Sequence, residues 1–194
     1  SGIDCGTGIG PMMEAARMIA KSGAKPKRTI VFIGFAGEEF GLLGAQAWVK
    51  AHKDKLPKIA NLFNRDGGPE PPVGISVPQA MYDDFVKISE PIQKIRPDYP
   101  FEVKVREPRK RPTRMGGTDA SVFAIEGVPT LGFTTEDFKG YDFDYGEIWH
   151  TERDLYTKNI PEYQEHTATV TAIIALGVAN LDKQLSREGL YTEE

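Results

Sequence analysis

The sequence predicts an α/β fold of three layers, α/β/α, with helices on both faces of a mostly parallel (mixed) sheet. Three observations predict it. Short β-rich apolar runs alternate with segments whose apolar residues fall at helical spacing. Gly and Pro clusters separate the two kinds of segment. The 194 residues suffice for one well-buried domain, and neither a repeat nor a linker divides them. Residues 1–194 therefore read as a single domain.

Met12, Ala15, Ala16 and Ile19 give the first helix one apolar face, and Gly23 and Pro26 end it. Residues 29–35 form a near-continuous apolar run, expected to be a buried parallel strand. It runs directly into Glu38–Glu39. Leu42, Ala45 and Val49 mark the next helix, beginning near Gly41 and reaching about Lys53. Its amides should lie close enough to help keep the two carboxylates ionised. Residues 59–63 are expected to be a second strand, ending at Asp66, and Gly67-Gly68 and Pro71-Pro72 mark turns after it.

Met81, Phe85, Ile88, Ile92 and Ile95 step by four and three, a strong amphipathic pattern. Pro91 within it predicts a kink or two short helices. Phe101, Val103 and Val105 alternate with charged residues, the mark of a half-exposed strand. A helix near residues 121–125 and a strand near 129–133 follow. Residues 134–147 are acidic and aromatic without periodicity, a long loop of the kind that often carries function. Asn159 is placed as N-cap of the last helix, with Pro161 in its first turn and Glu162 at the capping-box position. Val170, Ile173, Ile174, Gly177, Val178 and Leu181 form that helix's core face.

The formal net charge of −4 gives no general drive toward nucleic acid or anionic membrane. No apolar run is long enough to span a bilayer. The single cysteine, Cys5, excludes an intrachain disulfide and reads as an inert packing residue. The chain opens on Ser1 without a start methionine, so a processed or truncated N-terminus is expected.

Asp4, the pair Glu38–Glu39, Asp66 and His150 all lie where expected elements end. In a parallel sheet the C-terminal strand ends share one edge, and such edges hold the sites of open α/β folds. Two adjacent carboxylates repel unless a positive charge lies beside them. A set of Asp, Glu, Asp and His suits zinc or manganese better than copper or an iron–sulfur cluster. Taken singly, Asp4 and Asp66 also read as turn residues, and His150 as a structural histidine. Glu38–Glu39 resists that interpretation best, since a strand-end Glu pair has no obvious structural task.

These residues resemble the M28 family of zinc peptidases. The matching segments are Ile3-Asp4-Cys5-Gly6-Thr7-Gly8, Gly37-Glu38-Glu39-Phe40-Gly41-Leu42-Leu43-Gly44-Ala45, the Asp66 turn, Gly117-Thr118-Asp119 with Phe123, and Trp149-His150-Thr151 with Asp154. They cover nearly the whole chain, in the family's order. The branch they most resemble holds plasma glutamate carboxypeptidase and bacterial aminopeptidases. The resemblance implies a zinc-exopeptidase-like fold in which Asp4 bridges two zinc ions. Glu39 and His150 complete the first zinc site, Asp66 binds the second ion, and Glu38 is the general base. It further implies a cis peptide at Asp4–Cys5, peptide substrates and, since bacterial relatives are often exported, an extracytoplasmic parent protein.

One departure stands out. The family's second zinc needs a histidine from a His-x-Asp motif upstream of the bridging aspartate, and this chain starts three residues before Asp4. Neither His52 nor His166 matches that position. The expectation is a catalytic domain lacking its N-terminal strands, with one zinc or none held tightly, and weak or absent activity. An unpaired sheet edge is then expected to favour self-association.

Weaker signals remain. Arg106, Arg109, Lys110, Arg111 and Arg114 read first as a solvated loop, with a substrate-carboxylate clamp, Arg114 included, as the sharper alternative. Asp119 is either a helix-start residue or a group beside the metals. Trp149 either walls a substrate pocket or packs in the core, and Tyr145 is a candidate pocket residue. Glutaminyl-peptide cyclotransferases share this fold and one zinc and are the alternative enzyme class. A non-catalytic fragment or scaffold is the third possibility.

Overall fold

The computed structural model describes residues 2–192. Its helices are α1 (Gly6–Lys21), α2 (Leu43–Ala51), α3 (Tyr82–Ile95), α4 (Ala120–Ile125), α5 (Tyr145–Ile148) and α6 (Pro161–Asn180). The strands are β1 (Pro72–Val77), β2 (Glu102–Val105) and β3 (Phe133–Thr135), in sheet order β2-β1-β3. β1 runs parallel to β2 and antiparallel to β3, so the sheet is open and mixed. No helix among the described residues is long and apolar enough to cross a membrane.

The central strand is the one that sequence patterning conceals. Residues 71–74, Pro-Pro-Val-Gly, carry turn chemistry, yet β1 begins at Pro72 and passes through Gly74. A Cβ at Gly74 would run into the carbonyl of Glu102, so the close approach of β2 requires glycine there. Ile75 and Val77 face a core with Phe85, Ile88 and Ile92 of α3 and Val170, Ile174 and Val178 of α6.

Residues 29–35 join no ladder among the described residues, contrary to the expected buried strand. Ile30 and Phe32 pack against Ala15 and Ile19 of α1 and Ala172 of α6, while Val31 on the other side is 64% exposed. The composition is β-rich, but a strand is completed only by a neighbour. For the same reason the expected strand at 59–63 is reduced to one bridge, Leu62 with Thr130. The last strand begins at Phe133, later than expected, and runs antiparallel.

α3 is one continuous helix despite Pro91. Pro91 is exposed, so the carbonyl left without its helical donor faces solvent. α6 is capped by Ile160 rather than Asn159, with no side-chain cap bond. Glu162 makes no capping box, because its carboxylate accepts from Lys139 Nζ at 2.6 Å and Tyr99 Oη at 3.1 Å. α6 is buried on more than one side, since α1 and α3 both pack on it. A Cβ at Gly177 would collide with Ile88, which explains the glycine at the α3–α6 contact.

Candidate metal centre

Each candidate ligand is delivered by a turn at the end of an extended segment or helix. Gly37 and Gly41 flank the Glu pair with φ of 71° and 106°, a left-handed conformation that glycine adopts without strain. The turn is closed by backbone bonds: Gly41 and Leu42 N–H donate to the Glu38 carbonyl, Leu43 N–H to Gly37 and Gly44 N–H to Ala36. These amides are therefore spent on carbonyls and do not solvate the carboxylates, contrary to expectation. Burial, then Glu39, Asp119 and Asp4, push the Glu38 carboxyl above the ordinary range, with His150 opposing.

Asp4 lies in the turn before α1, and the Asp4–Cys5 peptide is cis, as the resemblance implies. The Thr7 hydroxyl donates to the carbonyls of Ile3 and Gly67, tying this turn to the one that carries Asp66. A Cβ at Gly8 would run into the Arg65 carbonyl, so α1 starts hard against the end of that second segment. Arg65 closes the turn from below by donating to the carbonyls of Gly68 and Glu70 at 2.7 and 2.6 Å.

His150 follows α5 with a φ of 56°. Its Nε2 lies 2.9 Å from Glu39 Oε2. One donor atom each from Asp4, Glu39 and His150 fall within 4.8 Å of one another. Two carboxylate oxygens and one imidazole nitrogen at that spacing fit zinc. The surroundings fit a cation as well. Asp4, Glu38, Glu39 and Asp66 line one cavity of about 550 Å³. Asp66 is pushed up to about 6, first by burial and then by Asp4 and Glu38. It lies beside Asp4 but outside the three-donor group.

The other candidates separate by position. Trp149 is 54% exposed, lines the cavity and sits with its ring 4.4 Å from that of His150, so it forms wall and not core. Tyr145 lines the cavity too; burial and its hydrogen bond toward Asp4 raise its phenol above the ordinary range. Asp119 occupies the N-cap position of α4 without capping it. It is buried with Oδ1 unpartnered, and burial raises its carboxyl. Burial, followed by Asp66 and Asp4, pushes the Cys5 thiol up, away from nucleophile chemistry.

Arg114 is exposed and outside the cavity lining, although the adjacent Met115 belongs to it. Two of its basic neighbours are engaged elsewhere: Arg109 donates to Thr130 and Arg111 to the Ile125 carbonyl, so these two act as structural braces. Sequence reasoning gave Asp154 no role, yet it accepts from Ile3 N–H at 2.6 Å and Asp4 N–H at 3.3 Å. Its place in the matching segment of Trp149-His150-Thr151 with Asp154 is the signal that could have found it.

The loop at 134–147 ends in α5 and is anchored at its middle. Tyr163 Oη donates to Asp137 at 2.6 Å and accepts from Lys139 N–H at 3.0 Å. Lys139 Nζ sits 4.5 Å over the Tyr99 ring and pairs with Glu162. Tyr141 also donates to Glu162. Lys139 above all, then Tyr141, holds the Glu162 carboxyl down to about 2.

The sequence profile of peptidase family M28 matches residues 2–174. The chain is similar to carboxypeptidase Q of Mus musculus, 24% identical over 190 residues, which are 95% of this chain and 36% of that protein. It thus spans about a third of the length of that relative. Among solved structures, it superposes on a peptidase M28 precursor from Shewanella amazonensis with a TM-score of 0.73 and 26% identity, over 94% of this chain and 38% of the other. BSAP, a zinc aminopeptidase from Bacillus subtilis, shares the fold at a TM-score of 0.60 and 19% identity, over 98% and 45% of the two chains.

Proposed function

The chain belongs to peptidase family M28, and from that premise we propose that it carries the centre of a zinc-dependent exopeptidase acting on N-terminal residues or small peptides. The convergence of Asp4, Glu39 and His150 on one point, with Glu38 beside them and outside the group, carries this reading.

Asp4, Glu39 and His150 would hold the zinc. A bound zinc supplies Lewis acidity toward the scissile carbonyl and makes a water molecule more acidic. Glu38 takes the proton of the attacking water on its carboxylate and delivers it to the nitrogen of the departing amine. Its raised carboxyl suits a group that must both accept and release a proton. Trp149 and Met115 wall the approach to the site, Tyr145 orients Asp4, and the charge of Asp119 helps to raise the Glu38 carboxyl. Arg114, exposed and next in sequence to the lining residue Met115, is the candidate contact for a substrate carboxylate. Asp66, with Asp4, would serve a second zinc. Among the described residues, the donors within reach of one another make one three-donor group.

Zinc-loaded chain, and any longer protein that carries it, should be assayed on aminoacyl-anilides and on dipeptides blocked at either end. Cleavage only with a free N-terminus makes it an aminopeptidase, and cleavage only with a free C-terminus a carboxypeptidase. Ammonia released from N-terminal glutamine, without peptide cleavage, would replace this reading with the cyclotransferase. Residues 29–35 have strand composition but join no ladder among the described residues, so we also expect concentration-dependent self-association. A single monomeric mass across concentrations in light scattering removes that part.

A further inference from the structure

We infer that Asp154 is a positioning residue of this centre: its carboxylate fixes the backbone of Ile3 and Asp4 so that the Asp4 side chain meets Glu39 and His150. The inference rests on the reading of those three residues as metal ligands.

Asp154 grips three successive residues. Oδ1 accepts from Ile3 N–H at 2.6 Å, Oδ2 from Asp4 N–H at 3.3 Å, and its main-chain carbonyl accepts from Gly2 N–H at 3.3 Å. These amides precede α1, so no helical carbonyl is available to them. On its own side, Asp154 N–H donates to the Thr151 carbonyl. The Thr151 hydroxyl in turn donates to the carbonyls of Glu147 and Ile148. His150 sits inside this chain of turns. One carboxylate therefore couples the segment bearing Asp4 to the segment bearing His150, from opposite ends of the sequence.

Asp154 borders the same pocket as Asp4, Glu39 and His150, yet it is absent from the group of mutually close donors. Both of its oxygens are turned to backbone amides. It acts on the metal through Asp4. An asparagine could accept only one of the two N–H groups and would point an amide donor at the other.

The test is a zinc titration of the whole chain against a chromophoric chelator, with thermal melts of the metal-free and zinc-loaded forms. Asp154→Asn should weaken zinc binding by about tenfold to a hundredfold, the usual cost of losing a partner that orients a ligand. It should also shrink the zinc-induced rise in Tm, and Asp154→Glu should recover part of the affinity. A merely structural role predicts equal losses of Tm with and without zinc and unchanged affinity. A loss in Asp154→Asn below about fivefold overturns the inference, being well short of that expected range. Should the Asn variant not fold, the same threshold is applied to Asp154→Ser, which cannot accept from both amides. Asp4→Ala separates the two levels: if it retains tight zinc, the ligand assignment itself fails. If it loses zinc while Asp154→Asn does not, only the positioning role fails.

Discussion

Nε2 of His150 stands 2.9 Å from Oε2 of Glu39. Two groups from distant turns meet edge to edge in a cavity crowded with carboxylates, the arrangement a shared cation stabilises. His150→Ala and Glu39→Gln should each weaken zinc binding by more than the roughly hundredfold upper cost of losing an outer partner. Zinc at about a hundred times its Kd should stabilise the parent chain by about 2.7 kcal/mol. Calorimetric titration and melts with and without zinc check both. Zinc binding retained in His150→Ala would remove the histidine from the site.

Glu38 differs from its neighbour in lying outside the three-donor group while lining the same cavity. Glu38→Gln should leave zinc affinity within a small factor of the parent and lower peptide hydrolysis by about a hundredfold to ten-thousandfold, the range for a lost general base. The split between affinity and turnover is the diagnostic. If Glu38→Gln lost zinc and Glu39→Gln kept it, the roles of the two would be exchanged.

The pair was legible in the sequence because its signal is local: an apolar run, two carboxylates flanked by glycines, then helical spacing. The elements that escaped depend on partners from elsewhere in the chain. β1 was hidden by Pro72 and Gly74, and Gly74 is explained only by the approach of Glu102. Residues 29–35 have strand composition, but a ladder belongs to two segments and cannot be read from one. The resemblance marks Asp154, but its task shows only when Ile3 and Asp4 arrive beside it. Asn159 satisfied a capping rule, yet the chain turns into α6 one residue later.

The anchor of the loop at 134–147 gives a test of how the fold holds α5. Tyr163 is fully buried, and its hydroxyl serves both Asp137 and the Lys139 N–H. Tyr163→Phe removes both bonds while keeping the ring, at a cost of about 1–3 kcal/mol. Amide exchange should quicken over residues 137–147 more than in α3. Uniform loss of protection, or none, would mean that the loop is held by other contacts.

His166 gives the pH prediction. It is fully buried, stacks on Tyr99 with ring centroids 3.9 Å apart, and places Nε2 3.0 Å from the Pro72 carbonyl. A carbonyl only accepts, so Nε2 carries the proton and Nδ1, unpartnered among the described residues, is bare. Burial is the main reason that the imidazole is pushed down to about 4. The unfolded chain protonates this group near its ordinary value of about 6.5, whereas the folded chain resists until about 4. Between those values the unfolded state binds more protons, so stability falls as pH falls. The contribution is complete above the unfolded value and exhausted below the folded one, in total on the order of 3 kcal/mol. Urea unfolding of the parent and of His166→Gln at pH 7 and at pH 4.5 isolates it, because titrations common to both chains subtract. The parent should lose about 2–3 kcal/mol more than the variant over that interval. Equal pH dependence in the two chains would show that His166 takes up its proton as readily folded as unfolded, and that its burial carries no cost.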